Sequence, residues 1–143
     1  MANDYTSISI TLIYMDFLAN ARHLYSQESH ENFFVGWPVK PAFEIVQQHF
    51  ENTQNIFATE GDEVIGFISI FTDEALFAFI PLLEVRGDFQ GKGIGSQLVA
   101  KMCEHLGQLY AIDLACDPEL APFYEKAGFF PGTAMHLRNR SAL

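Results

Sequence analysis

A single α/β domain built on a mixed sheet is predicted for this chain of 143 residues, on three observations. Two apolar runs, Ile56–Thr59 and Val64–Phe71, are joined by Glu60-Gly61-Asp62-Glu63, a hairpin signature with glycine in the turn. A longer apolar run, Leu76–Val85, leads through a glycine-rich turn into a helical pattern, the signature of a strand–turn–helix unit. No repeat, linker or shift in composition divides the chain, so one domain over 1–143 is expected. Hairpin strands ahead of a βαβ unit mix antiparallel with parallel pairing.

The elements follow in order. Ser7–Leu12 alternates as an opening strand. Tyr14 to about Ser29 reads as a helix, because Phe17, Leu18, Ala21, Leu24 and Tyr25 recur at helical spacing. Phe33–Pro38 is an aromatic loop, and Pro41 can open the next helix, which carries Phe43, Val46, Gln47 and Phe50. After the hairpin, Thr72-Asp73-Glu74 turns the chain into the Leu76–Val85 strand. Ile94, Leu98, Val99, Met102 and Leu106 then mark a helix with Gly107 as its C-cap. Leu109–Cys116 is a strand, Pro118–Lys126 a short helix closed by Gly128, and Thr133–Leu137 a last strand. The order is β-α-α-β-β-β-α-β-α-β.

Composition narrows the function. Eight basic against 18 acidic residues give a formal charge of −10, which argues against nucleic acid as a partner. The longest apolar run is far short of a membrane span and contains Pro81, and the first residues lack the pattern of a secretory signal, so a cytoplasmic protein without a membrane partner is expected. Two cysteines, Cys103 and Cys116, read as packing residues, and the five scattered histidines lack metal-ligand spacing, so no metal is expected.

The chemistry concentrates in Gln90-Gly91-Lys92-Gly93-Ile94-Gly95. A glycine turn running into a helix aims several backbone N–H groups at one point, at the positive end of the helix dipole, which suits phosphate oxygens. A P-loop is excluded because Lys92 is followed by Gly93 rather than by Ser or Thr. A dinucleotide turn counted from Gly91 would need glycine where Ser96 stands, and would come at the first βα turn.

Gln90-x-x-Gly93-x-Gly95, with Leu83-Glu84-Val85 before it and Phe123-Tyr124-Glu125-Lys126-Ala127-Gly128-Phe129 after it, resembles the GCN5-related N-acetyltransferases (GNAT). The resemblance implies a GNAT-like mixed, mostly antiparallel central sheet flanked by about four helices, and acetyl-CoA as cosubstrate. It implies that the pyrophosphate lies on Gln90, Gly91, Lys92, Gly93, Ile94, Gly95 and Ser96, and the pantetheine arm along Leu83, Glu84 and Val85 beside Phe123 and Tyr124. Tyr124 would be the general acid to the CoA thiolate, since a phenol near pKa 10 keeps its proton beside a thiol of about 8.5. A backbone N–H near Val85 would meet the oxyanion. Two positions depart from the family pattern: Asp117 stands where relatives carry Asn against the pantetheine, and Gly87 where Pro is common.

The general base is left open among Glu84, Asp73, Glu74, His136 and a water chain; Phe77 and Phe79 occupy the strand positions where some relatives place it. Phe33 and Trp37 are the candidate acceptor-binding residues, through cation–π attraction to an amine. A small-molecule amine or a peptide is the expected acceptor, a homodimer is compatible with the sequence, and a non-catalytic CoA-binding module is the rival from another class.

Overall fold

The fold is taken from a computed structural model, which describes residues 15–142. The expected Ser7–Leu12 strand lies outside the described residues. Among the described residues six strands form the sheet: β1 (Met15–Leu18), β2 (Gln54–Glu60), β3 (Glu63–Thr72), β4 (Phe77–Ile80), β5 (Leu83–Val85) and β6 (Ala111–Leu114). The helices are α1 (Gln27–His30), α2 (Phe43–Asn52), α3 (Ile94–Leu106) and α4 (Ala121–Glu125). The spatial order is β1-β2-β3-β4-β6, with β5 also on β3; among the described residues only the β4–β6 pair is parallel. The predicted mixed, mostly antiparallel sheet is therefore observed.

Three local expectations are corrected. Met15–Leu18, read as the start of a helix, is a strand paired with Phe57–Glu60. The helical spacing survives only further on, where Ala21, Tyr25 and Ser29 are buried through a short 3-10 turn and α1. A ladder to a distant strand supplied hydrogen bonds that local periodicity does not reveal. The Leu76–Val85 run is broken at Pro81, which lacks the N–H a ladder needs, into β4 and β5. Thr133–Leu137 forms no strand and lies exposed.

Both faces of the sheet are covered. On one, α3 lays Ile94, Leu98, Val99, Met102 and Leu106 against Ile65, Ile68 and Ile70 of β3. On the other, Tyr25, Phe33, Phe34, Val46 and Phe50 close over Phe57, Val64 and Phe67 as an aromatic layer. The β2–β3 register shifts between Ala58 and Thr59, inserting one extra residue on β3. That bulge turns both Ile65 and Gly66 toward α3. A Cβ at Gly66 would stand 3.1 Å from Leu98 Cδ1 and 3.3 Å from the Glu84 carbonyl oxygen. The absence of that one atom sets how closely α3 and β5 approach the middle of the sheet.

Candidate active site

β4 and β5 separate the sheet. β4 is bonded on both sides, to β3 and β6, and its pairing with β6 ends at Ile80↔Leu114. Beyond it β5 keeps only β3 among the described residues. The Ser69 N–H donates to the Leu82 carbonyl and the Arg86 N–H to that of Ile65, so the even-numbered residues here bond toward β3. By strand alternation, the N–H and C=O groups of Leu83 and Val85 point the other way, toward the opening. Gln90 Nε2 donates to the Val85 carbonyl at 3.1 Å, tying the start of the glycine turn to this edge.

The turn follows directly. Gly91 and Gly93 have φ of +76° and +81°, a region that L side chains rarely enter, and Gly93 caps α3. Among the described residues no side chain caps the helix, so its first N–H groups are left to an outside acceptor. Gly95 faces Phe123 across 3.5 Å from its would-be Cβ, which brings α3 and α4 together at the same end. Arg86 is engaged by Asp88 and Glu63 and stacks on Phe89. Lys92 lies over the same ring with no ion pair among the described residues, leaving its charge available to phosphate oxygens.

Glu84 stands on β5 between these features, its side chain directed to the aromatic face. Trp37 Nε1 donates to its Oε1 at 2.8 Å, and the Phe34 N–H donates to the same carboxylate. Burial nonetheless outweighs both bonds and pushes Glu84 up to about 7. Phe34 is a bulky residue at φ 60°, a strained conformation fixed by its packing on Trp37 and Phe67. The loop that carries it is anchored at Gly87, whose N–H donates to the Asn32 carbonyl at 2.8 Å. A side chain at Gly87 would meet Val35, and proline would lose the N–H, so this departure from the family pattern accommodates the loop.

Tyr124 is buried between the rings of Phe123 and Phe129, and its hydroxyl has no hydrogen-bond partner among the described residues. Burial first, then the charges of Cys116 and Glu84, push it up to about 12. A groove of about 720 Å³ reaches Tyr124 from the β6 side, while a larger cavity of about 1140 Å³ opens between β1, β2 and α3, away from the turn.

Leu83, Glu84, Val85, the Gln90–Ser96 turn, Phe123 and Tyr124 thus gather at the open end of the sheet. Asp117 precedes α4 on the surface and makes no side-chain hydrogen bond among the described residues. Phe33 does not reach the site: it is 1% exposed and packs on Tyr25 and Phe67. Trp37 is committed to Glu84 through its N–H. Asp73 accepts N–H groups from Ala75, Leu76 and Phe77, which holds its carboxyl below the usual range and makes it a turn former. Cys116, expected in packing, is exposed. The Trp37–Glu84 contact, 47 residues apart, has no signal in the sequence; a lone carboxylate closing a long apolar run was the available hint.

An open sheet end, a free strand edge and a glycine turn capping a helix define an α/β class in which backbone groups of the strand edge and the helix N-terminus are left facing one opening. The family model of the acetyltransferase (GNAT) family matches residues 20–129, and the chain belongs to that family. The uncharacterized N-acetyltransferase ycf52 of Gracilaria tenuistipitata var. liui is 30% identical over 102 residues, covering 66% of this chain and 56% of that protein. Its namesake in Pyropia yezoensis is 28% identical, over 66% of this chain and 58% of its own length. The chain therefore spans less than two thirds of these curated relatives. A solved structure of a candidate acetyltransferase from Deinococcus radiodurans R1 superposes with a TM-score of 0.80 at 35% identity, covering 89% of this chain and 90% of that one. The GNAT family protein SP0256 of Streptococcus pneumoniae TIGR4 shares the fold, with a TM-score of 0.66 at 24% identity over 88% of this chain and 97% of its own. Among the described residues no helix is long and apolar enough to cross a membrane, and no group of three His, Cys, Asp or Glu residues could hold a metal ion.

Proposed function

We propose that the chain is an acetyl-CoA-dependent N-acetyltransferase acting in the cytoplasm on a primary amine, carried by a small molecule or a peptide. The observation that carries this reading is the continuity of Glu84, the outward edge of Val85 and the glycine turn along one stretch of backbone, with Tyr124 across the opening. Bound acetyl-CoA supplies a thioester as acyl donor. The N–H groups of Gly91 to Ser96, with Lys92, would hold its pyrophosphate, and the outward N–H and C=O groups of Leu83 would hold its amide-bearing arm, leaving the Val85 N–H for the reacting carbonyl.

The amine nitrogen attacks the thioester carbonyl, forming the C–N bond; the C–S bond breaks and the thiolate leaves. Glu84, near pKa 7, accepts the proton that the amine sheds, and the Val85 N–H faces the developing oxyanion. Tyr124 keeps its proton at neutral pH and donates it to the departing sulfur. Glu84 and Tyr124 are coupled in a useful direction: the Glu84 charge raises Tyr124, so a protonated Glu84 makes Tyr124 a better acid as the thiolate forms.

A thiol-release assay over amines, polyamines, amino acids and peptides tests the proposal. CoA release that depends on an acceptor is expected, with Tyr124→Phe lowering kcat by about 10²-fold while acetyl-CoA affinity is retained. Tight CoA binding with no turnover on any acceptor would instead establish a binding module.

A further inference from the structure

The segment from Glu31 to Lys40 belongs to no helix or strand, yet it carries both donors that reach Glu84. Three of its side chains turn inward: Phe33 and Phe34 are buried and Trp37 is half-buried, while the others are exposed. Surface backbone of this kind opens readily unless its ends are fixed. His30, the last residue of α1, fixes them by donating from Nε2 to the carbonyl of Pro41, the first residue past the loop, at 3.0 Å. Lys40 Nζ bridges the same neck, donating to the Glu31 carbonyl at 2.6 Å and to that of His30 at 3.4 Å.

The imidazole is itself held in place. A carbonyl only accepts, so Nε2 carries the proton and Nδ1 accepts from the Tyr25 hydroxyl at 2.7 Å. The ring packs on Phe34 and Phe43, and at 4% exposure it has little water to replace its two partners. The bonds of one ring therefore set the ends of a loop whose far side lays Trp37 Nε1 on Glu84 Oε1.

We propose that His30 is a positioning residue for the acetyl transfer: as a neutral imidazole it latches the neck of the 31–40 loop, and the latched loop keeps the Glu84 carboxylate dry and aimed. This rests on the reading of Glu84 as the base. The closed loop acts on Glu84 in two opposed ways. It excludes water, which raises the proton affinity of the carboxyl, while Trp37 Nε1 and the Phe34 N–H stabilise the carboxylate; burial is the larger effect. Opening the loop removes burial and donors together, so Glu84 returns toward its ordinary value of 4.5. Removing the Trp37 N–H alone leaves the burial and pushes Glu84 higher. The latch also has an acid limit. In an imidazolium both nitrogens are donors, and the Tyr25 proton loses its acceptor. Burial first, with the charge of Lys40, disfavours that cation against the Pro41 carbonyl, Glu31 and Glu44, and holds His30 below the usual imidazole range.

Trp37 is the chain's single tryptophan, so its fluorescence reads the loop without turnover. Tyr25→Phe keeps the ring in the aromatic core and removes only the hydroxyl; His30→Phe removes both bonds. Each variant, checked for folding by circular dichroism, should show red-shifted emission and stronger acrylamide quenching than the parent. In both, the rising limb of kcat/KM should move from about 7 toward 4.5, with the acceptor KM raised and the acetyl-CoA KM unchanged. Trp37→Phe should move the limb the opposite way. His30→Gln offers an N–H to Pro41 and an oxygen to Tyr25 but takes up no proton. It should keep quenching at the parent's level and abolish the increase that the parent shows as pH falls below 6.5. Equal quenching in the parent, Tyr25→Phe and His30→Phe would overturn the latch. A limb that Glu84→Gln removes but the latch variants leave at the parent's pH would overturn its hold on the base. A limb that Glu84→Gln leaves in place refutes Glu84 as the base instead, and quenching still decides the latch.

Discussion

At Glu84 the energetics of burial and the demands of a base coincide. A carboxyl held near 7 in the fold and near its usual value in the unfolded chain is a proton acceptor poised at neutral pH. The same shift carries a stability consequence of definite sign. The folded state binds the extra proton, so the stability present at acid pH is lost as pH rises from about 4.5 to about 7. Glu84→Gln keeps an oxygen for the Trp37 N–H but cannot ionise. It should remove a rising limb of kcat/KM centred near 7 and lower the rate above that pH by about 10²-fold. Its melting temperature should gain on the parent between pH 5.5 and 8, as followed by thermal unfolding. A limb that persists unchanged in the variant would belong to the amine rather than to Glu84.

At the scale of elements, what the sequence disclosed and what it hid differ by the range of the interaction responsible. The β2–β3 hairpin and α3 were legible because a Gly-Asp turn and a run of apolar residues at helical spacing act over a few neighbours. β1 was misread because its ladder partner lies some forty residues away, at Phe57–Glu60. The loop over Glu84 was equally hidden. It depends on a strained Phe34, on the Gly87 N–H, and on a buried chain in which the Tyr25 hydroxyl donates to His30 Nδ1 while His30 Nε2 donates to the Pro41 carbonyl. Burial lowers the His30 pKa and so favours the neutral imidazole that accepts at Nδ1 and donates at Nε2. Gly66 tests whether spacing between elements governs the site. Gly66→Ala drives a methyl into Leu98 and the Glu84 carbonyl and should destabilise the fold by about 1–3 kcal/mol, read by urea denaturation. Because the Glu84 backbone cannot yield as a side-chain tip can, acetyl-CoA affinity should fall with it.

Across the whole molecule, two cores of different character hold one sheet that opens at a single end. The aliphatic core under α3 fixes the glycine turn relative to β3, and the aromatic core fixes the loop that carries Trp37. Glu84 belongs to the strand between them, so a ligand spanning turn and strand edge would tie the two layers together. The pattern Gln90-x-x-Gly93-x-Gly95 made the glycine turn of the candidate site legible, since glycine at positive φ is demanded locally. The loop that carries Trp37 onto Glu84 was not, because its contacts are long-range. A ligand that bridges both layers stabilises the fold through its differential affinity for the native state. Acetyl-CoA at 100 times its dissociation constant should add about 2.7 kcal/mol, raising the melting temperature of a domain this size by roughly 8 °C. CoA should act similarly, since it keeps the pyrophosphate and the arm, whereas NAD, whose turn would need glycine at Ser96, should leave the transition unmoved. Stabilisation by NAD and none by acetyl-CoA, measured by differential scanning fluorimetry, would remove the acetyl-CoA reading of this turn.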